Sequence, residues 1–120
     1  MTSDDATDVR AALARVRDDA TARAASLDEA LAGLRAGRER DTADDEHDPE
    51  GATLSAEWSR LEGLHQDALR ERDAADVALR RVDAPGFGCC ADCGCRIPNE
   101  RLVARPTATR CVACAQKAGE

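Results

Sequence analysis

Six cysteines constrain this chain more than any other feature: four fall in GCCADCGC, residues 88–95, and the other two are Cys111 and Cys114. Cys111-Val-Ala-Cys114 is an unambiguous Cys-x-x-Cys element, and two intervening residues let both sulfurs turn toward one tetrahedral centre. In the first group only Cys90-Ala-Asp-Cys93 has the same spacing; Cys89 to Cys93 is one residue too long and Cys93 to Cys95 one too short. Gly94 directly follows that pair, where a chain leaving such a knuckle often needs a positive φ. Cys90, Cys93, Cys111 and Cys114 are therefore candidate ligands of one structural zinc ion, with 17 residues between the pairs.

The spacer has the length of a short β-hairpin. Ile97 and Leu102-Val103 are its expected strands, Pro98-Asn99 its turn, and Pro106 its exit toward a short helix near 111–118. Cys89 and Cys95 are left over. They are read as small bystanders, or more sharply as redox thiols whose oxidation beside the site would release metal and disorder the finger.

A metal anchor suits the rest of the chain, which is poor in core-forming material. Of 120 residues 34% are charged, and Trp58 and Phe87 are the aromatic ones. Much of the apolar content is Ala, which buries little surface. The periodicity is helical: Val9, Leu13, Val16, Ala20, Ala24, Leu27, Leu31 and Leu34 step by four or three along one stripe. That predicts a helix over about 4–40, capped by Ser3 or Asp4, with Gly37 and the acidic run after Arg40 near its end. Leu54, Trp58, Leu61, Leu64, Ala68, Ala75, Leu79 and Val82 form a second stripe. It predicts a helix over about 53–83 with Thr53 or Asp48 as N-cap and Ala84-Pro85-Gly86 as the stop. Stripes this narrow suit a paired coil, and the simplest pairing is an antiparallel hairpin. The expected fold is mainly α, with a coiled coil over 1–84 and a zinc finger with its short helix over 85–120.

The turn of that hairpin, DTADDEHDPEGA over 41–52, holds six carboxylates. It is either a solvated acidic turn or a tip that meets a cation or a basic surface. Asp44, Asp45, Asp48 and Glu50 are the candidate partner-binding residues. His47 has no second His or Cys near it in sequence and is a weak metal candidate; His65 reads as a satisfied histidine on the inner edge of the second helix. Charge is uneven: residues 1–50 carry 14 acids and 7 bases, whereas 85–120 carry 3 and 5. Nucleic-acid affinity rests largely on Lys and Arg neutralising phosphates, so direct DNA binding is not expected from a chain of net charge -7. A protein partner is expected instead. No run approaches the roughly 20 apolar residues of a membrane span, and MTSDDATDVR is unlike a secretory signal, so a cytoplasmic location is expected. No Ser-His-Asp set, phosphate-binding Gly loop or Cys-His pair points to an enzyme.

The segment FGCCADCGCRIPNERLVARPTATRCVAC resembles the zinc finger of the DksA/TraR regulators of bacterial RNA polymerase. The shared elements are Phe87-Gly88, Cys90 to Gly94, Ile97, Arg101-Leu102, Ala104 to Ala108, and Cys111 to Cys114. Ala78 to Asp83 also resembles the end of that family's second coil helix, which extends the similarity over roughly 78–114. The resemblance implies a zinc-anchored hairpin that enters the secondary channel of RNA polymerase, with its tip near the active centre. It implies a role in initiation, in some members together with the alarmone ppGpp. It also gives Arg96, Arg101, Arg105 and Arg110 a candidate role in docking to an acidic rim of the polymerase. The family's tip motif, Asp-x-x-Asp-x-Ala, is not reproduced here: residues 41–46 read DTADDE and 47–52 read HDPEGA. Two other readings stay open: a transcript-cleavage stimulating factor whose tip carboxylates help hold a second magnesium, and a zinc-stabilised coiled-coil adaptor or redox sensor that does not act on polymerase.

Overall fold

The first helix, α1, spans Ser3–Asp41. Thr2 caps it, one residue before the expected position: its Oγ1 accepts from the Asp5 N–H at 3.1 Å, while Asp5 Oδ2 accepts from the Thr2 N–H at 3.3 Å. This reciprocal arrangement satisfies donors that the first turn leaves open. Asp4 and Asp5 also place negative charge at the positive end of the helix dipole. The second helix, α2, covers Glu50–Arg81 and ends with Arg80 and Arg81, the complementary charge for that terminus. In this computed structural model of the protein, residues 1–41 and 50–120 are described, with side chains for 1–38 and 53–120. The two helices form an antiparallel hairpin.

The chain divides into two compact units. One is Asp19–Glu71. In it Ala20, Ala24 and Leu31 of α1 and Leu61 and Ala68 of α2 are buried. The short alanines allow close helix approach. Polar contacts follow the same antiparallel register: Arg23 Nη2 lies 2.6 Å from Glu71 Oε2, and the Arg35 guanidinium lies 5.3 Å from the centre of the Trp58 ring. Moving from Arg23 to Arg35 on α1 thus corresponds to moving back from Glu71 to Trp58 on α2, as antiparallel helices require. Leu64 departs from the expected stripe and is 43% exposed. The reason is the seven-residue repeat: steps of four and three from Leu61 pass through His65, Ala68, Arg72 and Ala75, leaving Leu64 on the flank. His65 is half-buried on that line.

The other unit joins Met1–Asp18 to Arg72–Glu120. Its core gathers Val9 and Leu13 from α1, Val82 just beyond α2, and Cys90, Ile97 and Leu102 from the C-terminal segment. Ala78, Leu79, Phe87, Cys111 and Cys114 pack around them. The Arg10 guanidinium closes the same region with a 2.6 Å contact to Asp83.

The expected β-hairpin is absent. Among the described residues the β pairing is one isolated bridge, Cys89 with Arg96, flanked by Cys90 N–H to Cys95 C=O at 2.7 Å and Ile97 N–H to Gly88 C=O at 2.7 Å. Leu102 and Val103 lie instead in a short helix, α3, Asn99–Ala104. Pro98 starts it, its carbonyl accepting from the N–H groups of Arg101 and Leu102 at 3.0 and 3.1 Å. Glu, Arg, Leu and Ala in NERLVA favour helix, and one turn is enough to bury Leu102 while leaving Val103 38% exposed. The expected C-terminal helix is α4, Val112–Lys117. No helix among the described residues is long and apolar enough to cross a membrane.

Candidate metal centre

Each half of the cysteine site is built by local backbone geometry. In the first knuckle the Gly94 N–H donates to the Cys90 carbonyl at 2.9 Å, closing a tight turn around Cys93. Gly94 has φ +76°, a conformation that any residue with a Cβ resists. In the second knuckle Cys111 is the N-cap of α4, extended at φ -69° and ψ 167°, and Cys114 sits one turn into the helix. The two halves are also joined through backbone: the Ala91 N–H donates to the Thr109 carbonyl at 2.8 Å.

These turns bring the sulfurs of Cys90, Cys93, Cys111 and Cys114 within 4.8 Å of one another. Cys93 and Cys111 Sγ are 3.9 Å apart. A tetrahedral zinc with bonds near 2.3 Å needs its sulfurs about 3.8 Å apart, so the arrangement fits that ion. No disulfide competes, since all six cysteines are free. Cys90 is buried, Cys111 and Cys114 are half-buried, and Cys93 is exposed, so the site lies at the edge of the core. Cys89 and Cys95 are exposed and stand outside the cluster, as the spacing argument anticipates.

Without a cation the four thiols cannot all ionise. Backbone N–H groups of Cys93 and then Cys111 stabilise the Cys90 thiolate and lower its pKa to about 6. Hydrogen bonding with the Cys111 and Cys90 sulfurs keeps the proton on Cys114, whose pKa is pushed up to about 12. The cluster thus has a preformed first anion and a strongly opposed last one, a charge pattern that a divalent soft-acceptor cation resolves.

The four finger arginines occupy different settings. Arg110 is held between Asp92 and Glu120, with contacts of 2.8 and 2.5 Å. Arg101 donates through Nε to the Arg110 carbonyl at 2.9 Å. Arg96 and Arg105 are exposed and have no ion-pair partner among the described residues. Asp92 and Glu120 did not stand out from sequence. An acid inside one knuckle and a base beside the other was the available signal, because opposite charges adjoining a shared metal site are brought together when the site closes. Asp44, Asp45, Asp48 and His47, with the Glu50 side chain, lie outside the described residues.

Residues 85–118 match the prokaryotic dksA/traR C4-type zinc finger. The chain carries a DksA/TraR zinc finger. Its Cys90, Cys93, Cys111 and Cys114 are the four-cysteine set of that finger and take one zinc ion. Zinc there is structural, because four thiolates leave no open position for a substrate or water. A solved structure, that of transcription factor DksA2 from Pseudomonas aeruginosa, is similar over 99% of this chain and 86% of its own, with a TM-score of 0.78 and 24% identity. That likeness is one of fold: it reaches beyond the finger to both helices. No curated protein sequence matches the chain.

Proposed function

We propose that this protein is a non-enzymatic transcription regulator that binds bacterial RNA polymerase through its secondary channel and presents an acidic tip to the active centre. The observation that carries the reading is the combination of a DksA/TraR finger with an antiparallel hairpin in the fold of a transcription factor, over nearly the whole chain. The hairpin's connecting segment is the most acidic stretch of the sequence. Carboxylates there would perturb catalytic elements electrostatically, without contacts to DNA. In this reading Asp44, Asp45, Asp48 and Glu50 act at the tip. Arg96 and Arg105, which are exposed and have no ion-pair partner among the described residues, contribute to docking more than Arg101 and Arg110, whose guanidinium groups are engaged within the finger. The setting is the bacterial cytoplasm.

The test is capture of core RNA polymerase by the zinc-loaded protein, with a known secondary-channel factor as competitor. Competed binding at micromolar concentration supports the proposal; no binding overturns it. Replacing the four tip acids with Ala is expected to preserve binding and abolish the effect on initiation, read as the lifetime of promoter complexes with and without the protein. Shortened transcripts from stalled elongation complexes would instead assign the tip a role in cleavage.

A further inference from the structure

The two cysteine pairs are tied together by groups that the metal itself does not require. Asp92 lies inside the first pair, between Cys90 and Cys93, and Arg110 immediately precedes Cys111 of the second. Arg110 Nε donates to Asp92 Oδ2 at 2.8 Å, and its Nη1 donates to Glu120 Oε1 at 2.5 Å. One planar cation therefore holds a carboxylate from the first knuckle and another from beyond α4. Arg101, on α3, fixes the same point from the other side by donating to the Arg110 carbonyl. The Arg110 side chain is about one-third exposed, which removes it partly from competing water.

Zinc leaves a four-thiolate site in steps. One sulfur detaches, and the metal is lost only if a competing ligand captures it before that sulfur returns. A link that keeps residues 111–114 beside 90–93 favours return over capture. We propose that Arg110 is a positioning residue for the zinc centre, a clamp between the two knuckles that slows metal release. The role is distinct from polymerase binding and stands whether or not that function holds. It also differs from simple charge compensation of the thiolates, which any nearby cation would supply. Lysine separates the two, because it keeps the charge but cannot present the fixed fork of donors that reaches two carboxylates together.

The measurement is the rate at which the full-length, zinc-loaded protein gives up its ion to excess chromogenic chelator, with helical content followed in parallel. Arg110→Ala is expected to release zinc about 5-fold faster, the scale of a partly exposed ion-pair network. Asp92→Asn should accelerate release in the same direction, and the double variant should be no faster than Arg110→Ala alone, because the two act through one contact. Arg110→Lys should lie nearer Ala than wild type. If Arg110→Ala does not retain zinc on purification, Asp92→Asn carries the comparison, since it leaves the contact with Glu120 in place. Release rates unchanged in both single variants overturn the proposal. So does wild-type behaviour of Arg110→Lys beside a fast Arg110→Ala, which would assign the effect to charge alone.

Discussion

Gly94 and Leu102 show how single positions hold the metal centre in place. Gly94 stands at φ +76° with open space where a Cβ would go, so replacing it tests backbone strain without a clash. Gly94→Ala is expected to cost about 1–2 kcal/mol, the penalty of a left-handed conformation, and so to weaken zinc binding roughly 10-fold in a chelator competition. Gly88 differs: at φ +86° its added Cβ would also lie 3.4 Å from Leu102 Cδ1, coupling strain to the core. Leu102 itself is almost fully buried. Leu102→Ala is expected to destabilise by about 2–5 kcal/mol in chemical denaturation, whereas Val103→Ala, one residue along α3, should shift stability by less than about 0.5 kcal/mol. The thiols set the pH dependence. Zinc binds thiolates, so affinity falls as protons compete. Above about pH 6 Cys90 has already lost its proton in the metal-free site, and binding releases fewer than four protons. Below that pH the Cys90 proton must also be displaced, and the affinity is expected to fall more steeply, as a zinc titration across pH 5–8 would show.

The long helices were legible in the sequence because a buried stripe leaves a repeat at four and three residues, and α1 and α2 follow it closely. Val9, Leu13, Ala20, Ala24 and Leu31 are buried as the pattern requires. The misplacements were local. Leu64 looked like a seam residue because it is apolar, yet the repeat assigns its place to His65, and polar side chains at seam positions are invisible to an apolar search. The zinc ligands were legible from spacing alone, since covalent geometry limits which sulfurs can meet. The finger's spacer was not: six residues of mixed propensity, NERLVA, permit either a strand or one helical turn, and burial of Leu102 against Ile97 and the ends of the hairpin decides. Cross-helix contacts were equally hidden, because pairing Arg23 with Glu71 depends on hairpin register. That pair is half exposed on both sides, so Arg23→Ala should lower stability by only about 0.2–1 kcal/mol and the loss should shrink in high salt.

For the whole chain, zinc and apolar packing stabilise the same core, because Cys90 is buried in the cluster that holds Val9, Leu13 and Val82. Metal removal is therefore expected to lower the thermal midpoint and to expose the base of the helices, not the finger alone. Hydrogen exchange should show lost protection at Val9 and Leu13 in the metal-free protein; retained protection there would mean that the finger unfolds by itself. The same cluster joins the first turns of α1 to α3, residues some ninety positions apart in sequence. Contacts of that span close a very large loop, and their entropic cost falls late, after the local helices have formed. The Cys-x-x-Cys pairs, by contrast, enclose only a short segment. Folding should thus proceed from a metal-nucleated finger and a locally formed coil to a final docking of the chain's beginning onto its end, and zinc should accelerate that last phase by presenting Ile97 and Leu102 as a ready-made surface.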